Sequence, residues 1–274
     1  MSATLISFLS DYGQRDEFVG VCHGVMLHRC PQARVIDITH GIPRHDVLLG
    51  ALTLRGALGY MPTGVHLAVV DPGVGSVGEH ARRAVALRAL RDGQLLVGPD
   101  NGLLSLAVEQ LGGAIEAVDI GRSPERLEPV SATFHGRDIF APVAGALACG
   151  AALDDVGEPL DVSELTVLEL SRAILSEEGL RAHVLHCDHF GNVILDATHE
   201  QLAQIGLRLG QELFIQSAGK THPARYARTF ADARQGELLL YEDAQRMAAL
   251  AVNRGSAATL LNAERGQELL VGIR

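Results

Sequence analysis

The sequence predicts an α/β domain, an open sheet flanked by helices, followed by a smaller all-β, barrel-like domain. Three observations carry that reading. Short apolar runs alternate with helix-period segments through the first half of the chain. That alternation changes after Gly157-Glu158-Pro159, and from Leu180 onward the chain shows short β-type runs separated by Gly and Asp turns. The expected boundaries are residues 1–158 for the first domain, 159–179 for a linker or irregular segment, and 180–274 for the second.

Taken in order, residues 5–9 read as a buried strand and 16–29 as a helix, with Phe18, Cys22, Val25 and Met26 on one face and Pro31 as its stop. Residues 35–38 form a second strand, 46–60 a Leu- and Ala-rich helix ended before Pro62, and 65–70 a third strand. Strands at 84–87 and 95–97, a helix at 101–111, a strand at 115–118 and a helix at 136–151 complete the first domain. In the second, strands are expected at 182–187, 193–195, 212–215, 237–241 and 268–271. Asp11, Asp71 and the Gly98-Pro99-Asp100-Asn101 turn each directly follow a strand, where open α/β sheets place their ligands.

Composition narrows the function. The 274 residues are 47% hydrophobic and 20% charged, enough for a sizeable core. A net charge of −10, only 4% aromatics and no Trp argue against a nucleic-acid partner, which needs a basic face and stacking platforms. Cys22, Cys30, Cys149 and Cys187 show no C-x-x-C spacing and read as reduced core thiols. With no basic segment before the first apolar run and no stretch of membrane-spanning length, a cytoplasmic protein without a membrane partner is expected.

Four clusters carry polar groups suited to chemistry. These are Ser10 to Asp16 (S-D-Y-G-Q-R-D), Val69 to Ser76 (V-V-D-P-G-V-G-S) with Arg82-Arg83 shortly after, Thr133 to Pro142 (T-F-H-G-R-D-I-F-A-P) and Cys187 to Asn192 (C-D-H-F-G-N). Each has a plain structural reading: Asp11 as a helix cap, Asp71-Pro72-Gly73 as a turn, His135 as a satisfied histidine, and Phe190-Gly191-Asn192 as a hairpin turn.

Together the clusters resemble the S-adenosylmethionine hydroxide adenosyltransferases, relatives of the fluorinases and chlorinases. S-D-Y-G, I-T-H-x-I-P-x-H-D, V-D-P-G-V-G-S, G-P-D-N-G and F-H-G-R-D-I-F-A-P occur in the family's order, and the likeness runs from Ser7 to about Ala258. The resemblance implies hydrolysis of S-adenosylmethionine to adenosine and methionine, without a cofactor or metal. It also implies a homotrimer whose active sites lie at subunit interfaces. The catalytic triad would fall on Asp71, Arg82 and His135. Asp11 and His45 would meet the ribose, Asp16 and Asp188 the methionine ammonium, Asn192 and the backbone near Val252 the adenine edge, Phe230 its face, and Tyr241 the methionine end. Asp71 and His135 stand where fluorinases carry other residues, which favours water over halide as nucleophile.

These residue types suit the substrate on their own terms. A sulfonium and an ammonium call for carboxylates, and adenine offers a flat apolar face with a hydrogen-bonding edge. Residues 77–81 lengthen the path from the V-D-P-G-V-G-S turn to the arginine, so Arg82 or Arg83 could fill that place. Ala244 stands where the family has a serine. With Arg82 pairing Asp71, His135 is the expected proton acceptor. Two other classes compete: a non-catalytic module that binds adenosine or S-adenosylmethionine, and a metal-dependent hydrolase built on His183, His186, Cys187, Asp188 and His189.

Overall fold

Strands with neighbours on both edges and helices on both faces must be apolar throughout, and β1 (Leu5–Ser10) is buried at all six positions. The computed structural model describes residues 5–76, 78 and 81–273, and divides into two units after Leu168. In the first unit β1 is joined by β2 (Arg34–Thr39), β3 (Gly64–Val69), β4 (Ala84–Ala89), β5 (Leu95–Pro99), β6 (Ala114–Asp119) and β7 (Glu158–Leu160) in the order β2-β1-β3-β5-β4-β6-β7. β2, β1, β3 and β5 run parallel, whereas β4 is antiparallel to both β5 and β6.

Helices α1 (Phe18–Arg29) and α4 (Ala141–Ala148) close one face of this sheet, burying Cys22, Met26 and Val143 with Ile6 and Phe8. Helices α2 (Val47–Leu58) and α3 (Ser105–Gln110) close the other, where Leu54, Leu58 and Ala107 meet Leu9 and Val70. α2 begins where expected because the Asp46 side chain accepts the Leu49 N–H at 3.0 Å. The helix expected over 101–111 starts only at Ser105, since Asn101 and Gly102 are spent on a turn. The helix expected over 136–151 forms continuously to Ala148, with its first turn widened. A π-turn spans Gly136–Phe140, α4 ends at Ala148, and a short α5 follows at Leu153–Val156. Pro142 has no N–H for the Asp138 carbonyl, which accepts the Leu127 N–H at 2.8 Å instead.

The second unit is a closed barrel. β8 (Ile174–Ser176) lies outside it against β9 (Gly179–Cys187), and the ring continues through β10 (Val193–Thr198), β11 (Glu212–Ser217), β12 (Lys220–Tyr226), β13 (Leu238–Glu242), β14 (Met247–Val252) and β15 (Glu268–Ile273). The order is β10-β14-β13-β12-β11-β15-β9, and pairing of β10 with β9 closes it, removing exposed edges from those seven strands. Its interior holds Leu180, Leu195, Ile215, Leu240, Leu250 and Val271. Short helices α6 (His199–Gln204) and α7 (Ala257–Leu261) lie in the connections.

β12 and β14 are not apparent in the sequence. β12 contains Pro223, which lies just outside its ladder with β13, a ladder that begins at Ala224. β14, Met-Ala-Ala-Leu-Ala-Val, shows no polar alternation because its four central residues are all buried. Residues 159–179 contain a strand pairing in each unit, β7 with β6 and β8 with β9. All four cysteines are free, but only Cys22 and Cys30 are core residues; Cys187 is half-buried, and Cys149, capping the end of α4, is exposed. Among the described residues no helix is long and apolar enough to cross a membrane. Leu240→Ala, which empties a fully buried barrel position, should cost about 2–5 kcal/mol, read as a lower urea midpoint.

Candidate active site

Because β4 runs against its neighbours, its first residue, Ala84, pairs with Pro99, the last residue of β5. The start of β4 therefore lies at the edge where β1, β3 and β5 end, and the chain leaving β3 at Asp71 returns to that edge at Arg82. Arg82 Nε lies 3.0 Å from each oxygen of Asp71, and its Nη2 also bonds Oδ2. The two side chains are 11% and 6% exposed, so little water screens the pair. Residues 77, 79 and 80 of the intervening loop lie outside the described residues.

Arg83 points elsewhere. It donates to Asp100 at 3.0 Å and to the Glu164 carboxylate at 2.8 Å, bracing the first unit. Of the two arginines, Arg82 is thus the one that joins Asp71.

His135 completes the cluster from the segment before α4, with Nδ1 3.0 Å from Arg82 Nη2. A guanidinium only donates, so Nδ1 accepts, and the proton of the neutral ring sits on Nε2. Burial and, next, the Arg82 charge push the His135 pKa below its ordinary 6.5, with Asp71 and Asp138 pulling the other way. With Nδ1 engaged by Arg82, the group His135 has left to offer a ligand is Nε2–H. Asp138, buried behind it, is held by Arg137 at 2.6 Å and by the Ser131 N–H at 2.8 Å.

Neighbouring elements hold this arrangement. The Arg82 guanidinium lies over the Phe140 ring at 5.3 Å. Asn101 Nδ2 donates to the Val70 carbonyl at 2.9 Å, pinning the backbone just before Asp71. Tyr12, not singled out by the sequence, packs edge-on against Phe134 and Phe8, and its hydroxyl lies where a side chain on Gly136 would have to sit. Burial first, then nearby thiol and carboxylate groups including Asp11 and Asp71, raise its pKa well above 10, so it is a neutral phenol. The one sequence sign of this contact is the glycine directly after His135.

Asp11 follows β1, and its N–H donates to the Val69 carbonyl at 3.3 Å, which ties the β1 and β3 loops together. Its Oδ2 accepts the His45 N–H at 2.9 Å, a contact made with His45 in the left-handed region at φ 65°. Asp16 stands exposed in the turn before α1.

Within the barrel, Asp188 and Asn192 form one group. Asp188 Oδ1 accepts the N–H groups of Phe190 and Asn192, both at 2.9 Å, while Asn192 Nδ2 donates to Oδ2 at 2.7 Å. Phe230 and Tyr241 form a second, with ring centroids 5.2 Å apart. Burial and, next, the Asp188 charge push the Tyr241 hydroxyl up to about 12, which places the two groups within electrostatic reach. Phe230 is 44% exposed and free to present its ring to a ligand. Val252 ends β14, its carbonyl accepting the Gly255 N–H at 2.9 Å. Of the residues in the alternative metal reading, His183 is bonded through both Nδ1 and its backbone N–H to Asp196, at 2.8 and 2.7 Å.

Family models described as the SAM hydroxide adenosyltransferase N-terminal and C-terminal domains match residues 6–157 and 182–270. A protein of Salinispora tropica named (R)-S-adenosyl-L-methionine hydrolase is 48% identical, with 97% of each chain covered. One of the same name from Thermus thermophilus is 37% identical over 95% of this chain and 96% of its own. The crystal structure of a conserved protein from Thermotoga maritima superposes with a TM-score of 0.89 at 33% identity, covering 97% of this chain and 99% of that one. The chain belongs to the SAM hydroxide adenosyltransferase family.

Proposed function

We propose that the protein hydrolyses S-adenosylmethionine to adenosine and methionine, and that water attacks the ribose 5′ carbon in line with the departing sulfur. The observation that carries the reading is the Arg82 guanidinium held between Asp71 and His135. A site that only bound the ligand would not need that cluster.

The C5′–S bond breaks with its electron pair passing to sulfur, so methionine leaves as a neutral thioether and needs no general acid. Positive charge moves from the sulfonium to the attacking oxygen as the O–C5′ bond forms. A carboxylate facing that oxygen, Asp71 in our reading, stabilises the transition state more than the bound substrate and takes up the proton the water sheds. Arg82 fixes the carboxylate, and the Nε2–H of His135 is a donor that can orient the water. Holding the reactants in line can itself supply roughly 7–11 kcal/mol in favourable cases.

Asp11 and His45 would receive the ribose, Asp16 and Asp188 the methionine ammonium, Asn192 and the Val252 backbone the adenine edge, with Phe230 on its face and Tyr241 near the methionine end. These assignments rest on the family resemblance and on the donor and acceptor groups each residue offers. We also propose a homotrimer with active sites at subunit interfaces, no cofactor, and a cytoplasmic location, the last supported by four cysteines that are all free.

Incubation with S-adenosylmethionine should yield adenosine and methionine in equal amounts by chromatography; absence of both would refute the activity. Asp71→Asn should lower kcat by about 10²–10³-fold. Arg82→Ala should do likewise, whereas Arg83→Ala should lower thermal stability and leave kcat unchanged. Protonated His135 would turn an N–H toward Arg82, so kcat/KM should fall as pH drops through a midpoint below 6.5. That acid limb should be absent in His135→Ala, and an unchanged limb would assign it to another group.

A further inference from the structure

On the α1 side of β1 and β2, three side chains with no part in the proposed reaction converge. They are His23 of α1, Asp37 of β2 and His40 just beyond β2. His23 Nε2 lies 2.8 Å and His40 Nε2 3.0 Å from the same atom, Asp37 Oδ1, and the three donor atoms are all within 4.8 Å of one another.

Strand alternation alone would put Asp37 and His40 on opposite faces of β2. A register shift prevents this. Phe8 pairs with Asp37 and Leu9 with Thr39, so Ile38 is an extra residue in β2. The bulge brings His40 to the face of Phe8 and Ser10. Its ring lies 4.6 Å from that of Phe8, and its Nδ1 is 2.7 Å from Ser10 Oγ.

The second observation is the state of His40 itself. The side chain is 2% exposed, and its Nε2 is buried without a hydrogen-bond partner: the approach to Asp37 is short but lies outside hydrogen-bond geometry. In the tautomer that donates Nδ1–H to Ser10 Oγ, Nε2 turns its lone pair toward the Asp37 carboxylate, the arrangement a metal ligand requires. A cation placed between that lone pair and the carboxylate would be attracted by both. A hydrogen bond at the far nitrogen of a histidine is also how proteins orient a metal-binding ring.

We propose that His23, Asp37 and His40 form a binding site for a divalent transition-metal ion of the zinc type. Two imidazoles and a carboxylate suit such an ion, whose bonds of about 2.0–2.2 Å would spread the donors slightly from their present spacing. The His23 and Asp37 side chains are 28% and 41% exposed, which leaves an entry path and room for water as a further ligand. The site is structural. It fastens α1 to the end of β2, and the His40 carbonyl accepts the Gly13 N–H at 2.8 Å, so occupancy would stiffen the segment from Ser10 to Gly13.

The test uses the full-length protein stripped with a chelator and titrated with cobalt(II), followed by visible absorption, with zinc then added as competitor. We expect ligand-field bands saturating at about one ion per chain, displaced by zinc, and a zinc-dependent rise in Tm. His23→Ala and Asp37→Asn, both at partly exposed positions, should each weaken binding by at least about 100-fold. His28→Ala, an exposed histidine of the same helix, should bind as the wild type does. No cobalt spectrum in the wild type, or the same affinity in His23→Ala and Asp37→Asn, would overturn the proposal.

Discussion

The candidate site depends on the direction of one strand. β4 enters the sheet between β5 and β6, antiparallel to both, so its first residues stand at the carboxyl edge of the parallel strands. A parallel β4 would begin at the opposite edge and carry Arg82 away from Asp71. The same reversal gives Arg83 the turn after β5 as its anchor, through Asp100. Two adjacent arginines thus divide into one that meets the site and one that holds the scaffold.

Little water reaches the Arg82–Asp71 pair, and this sets the character of the site. Removing two charges from water is costly, and the cost is offset only if geometry and further hydrogen bonds are good. Here the guanidinium contacts both carboxylate oxygens, reaches His135 and lies over Phe140. The result is a cluster whose geometry is fixed by its neighbours. Arg82 claims the basic nitrogen of His135, and a buried neutral phenol, Tyr12, walls the site without adding charge. For a reaction that moves positive charge from sulfur to water, a fixed carboxylate and preorganised donors fit better than a mobile base.

Strands β1 to β6 were legible because they are apolar runs bounded by Gly, Pro and Asp, and their expected ends differ from the observed ones by a residue or two; the short β7 was not. Helix ends were harder to read. The segment after His135 reads as one continuous helix, yet Pro142 and the Leu127 bond to Asp138 widen its first turn and shift the residues that follow. In the barrel, β14 has no alternation because both of its faces are covered, and β12 is masked by a proline that its short ladder with β13 tolerates. In each case packing overrode the local pattern.

The sequence by itself determined the fold class, the family and the membership of the polar clusters, because these depend on residue type, order and spacing. Asp11, Asp71 and Asp188 were identifiable from motifs at the ends of strands, and His135 from a motif at the start of a helix. What only the tertiary structure decided was direction and partnership. It chose Arg82 over Arg83, because the antiparallel β4 sends the two side chains to different acceptors. It set the tautomer of His135, because the nearest group to Nδ1 can only donate. It also gathered His23, Asp37 and His40, because a bulge at Ile38 reverses the alternation a sequence reader would assume. Each outcome turns on where a side chain points, which depends on the path of the whole chain and not on its local spelling.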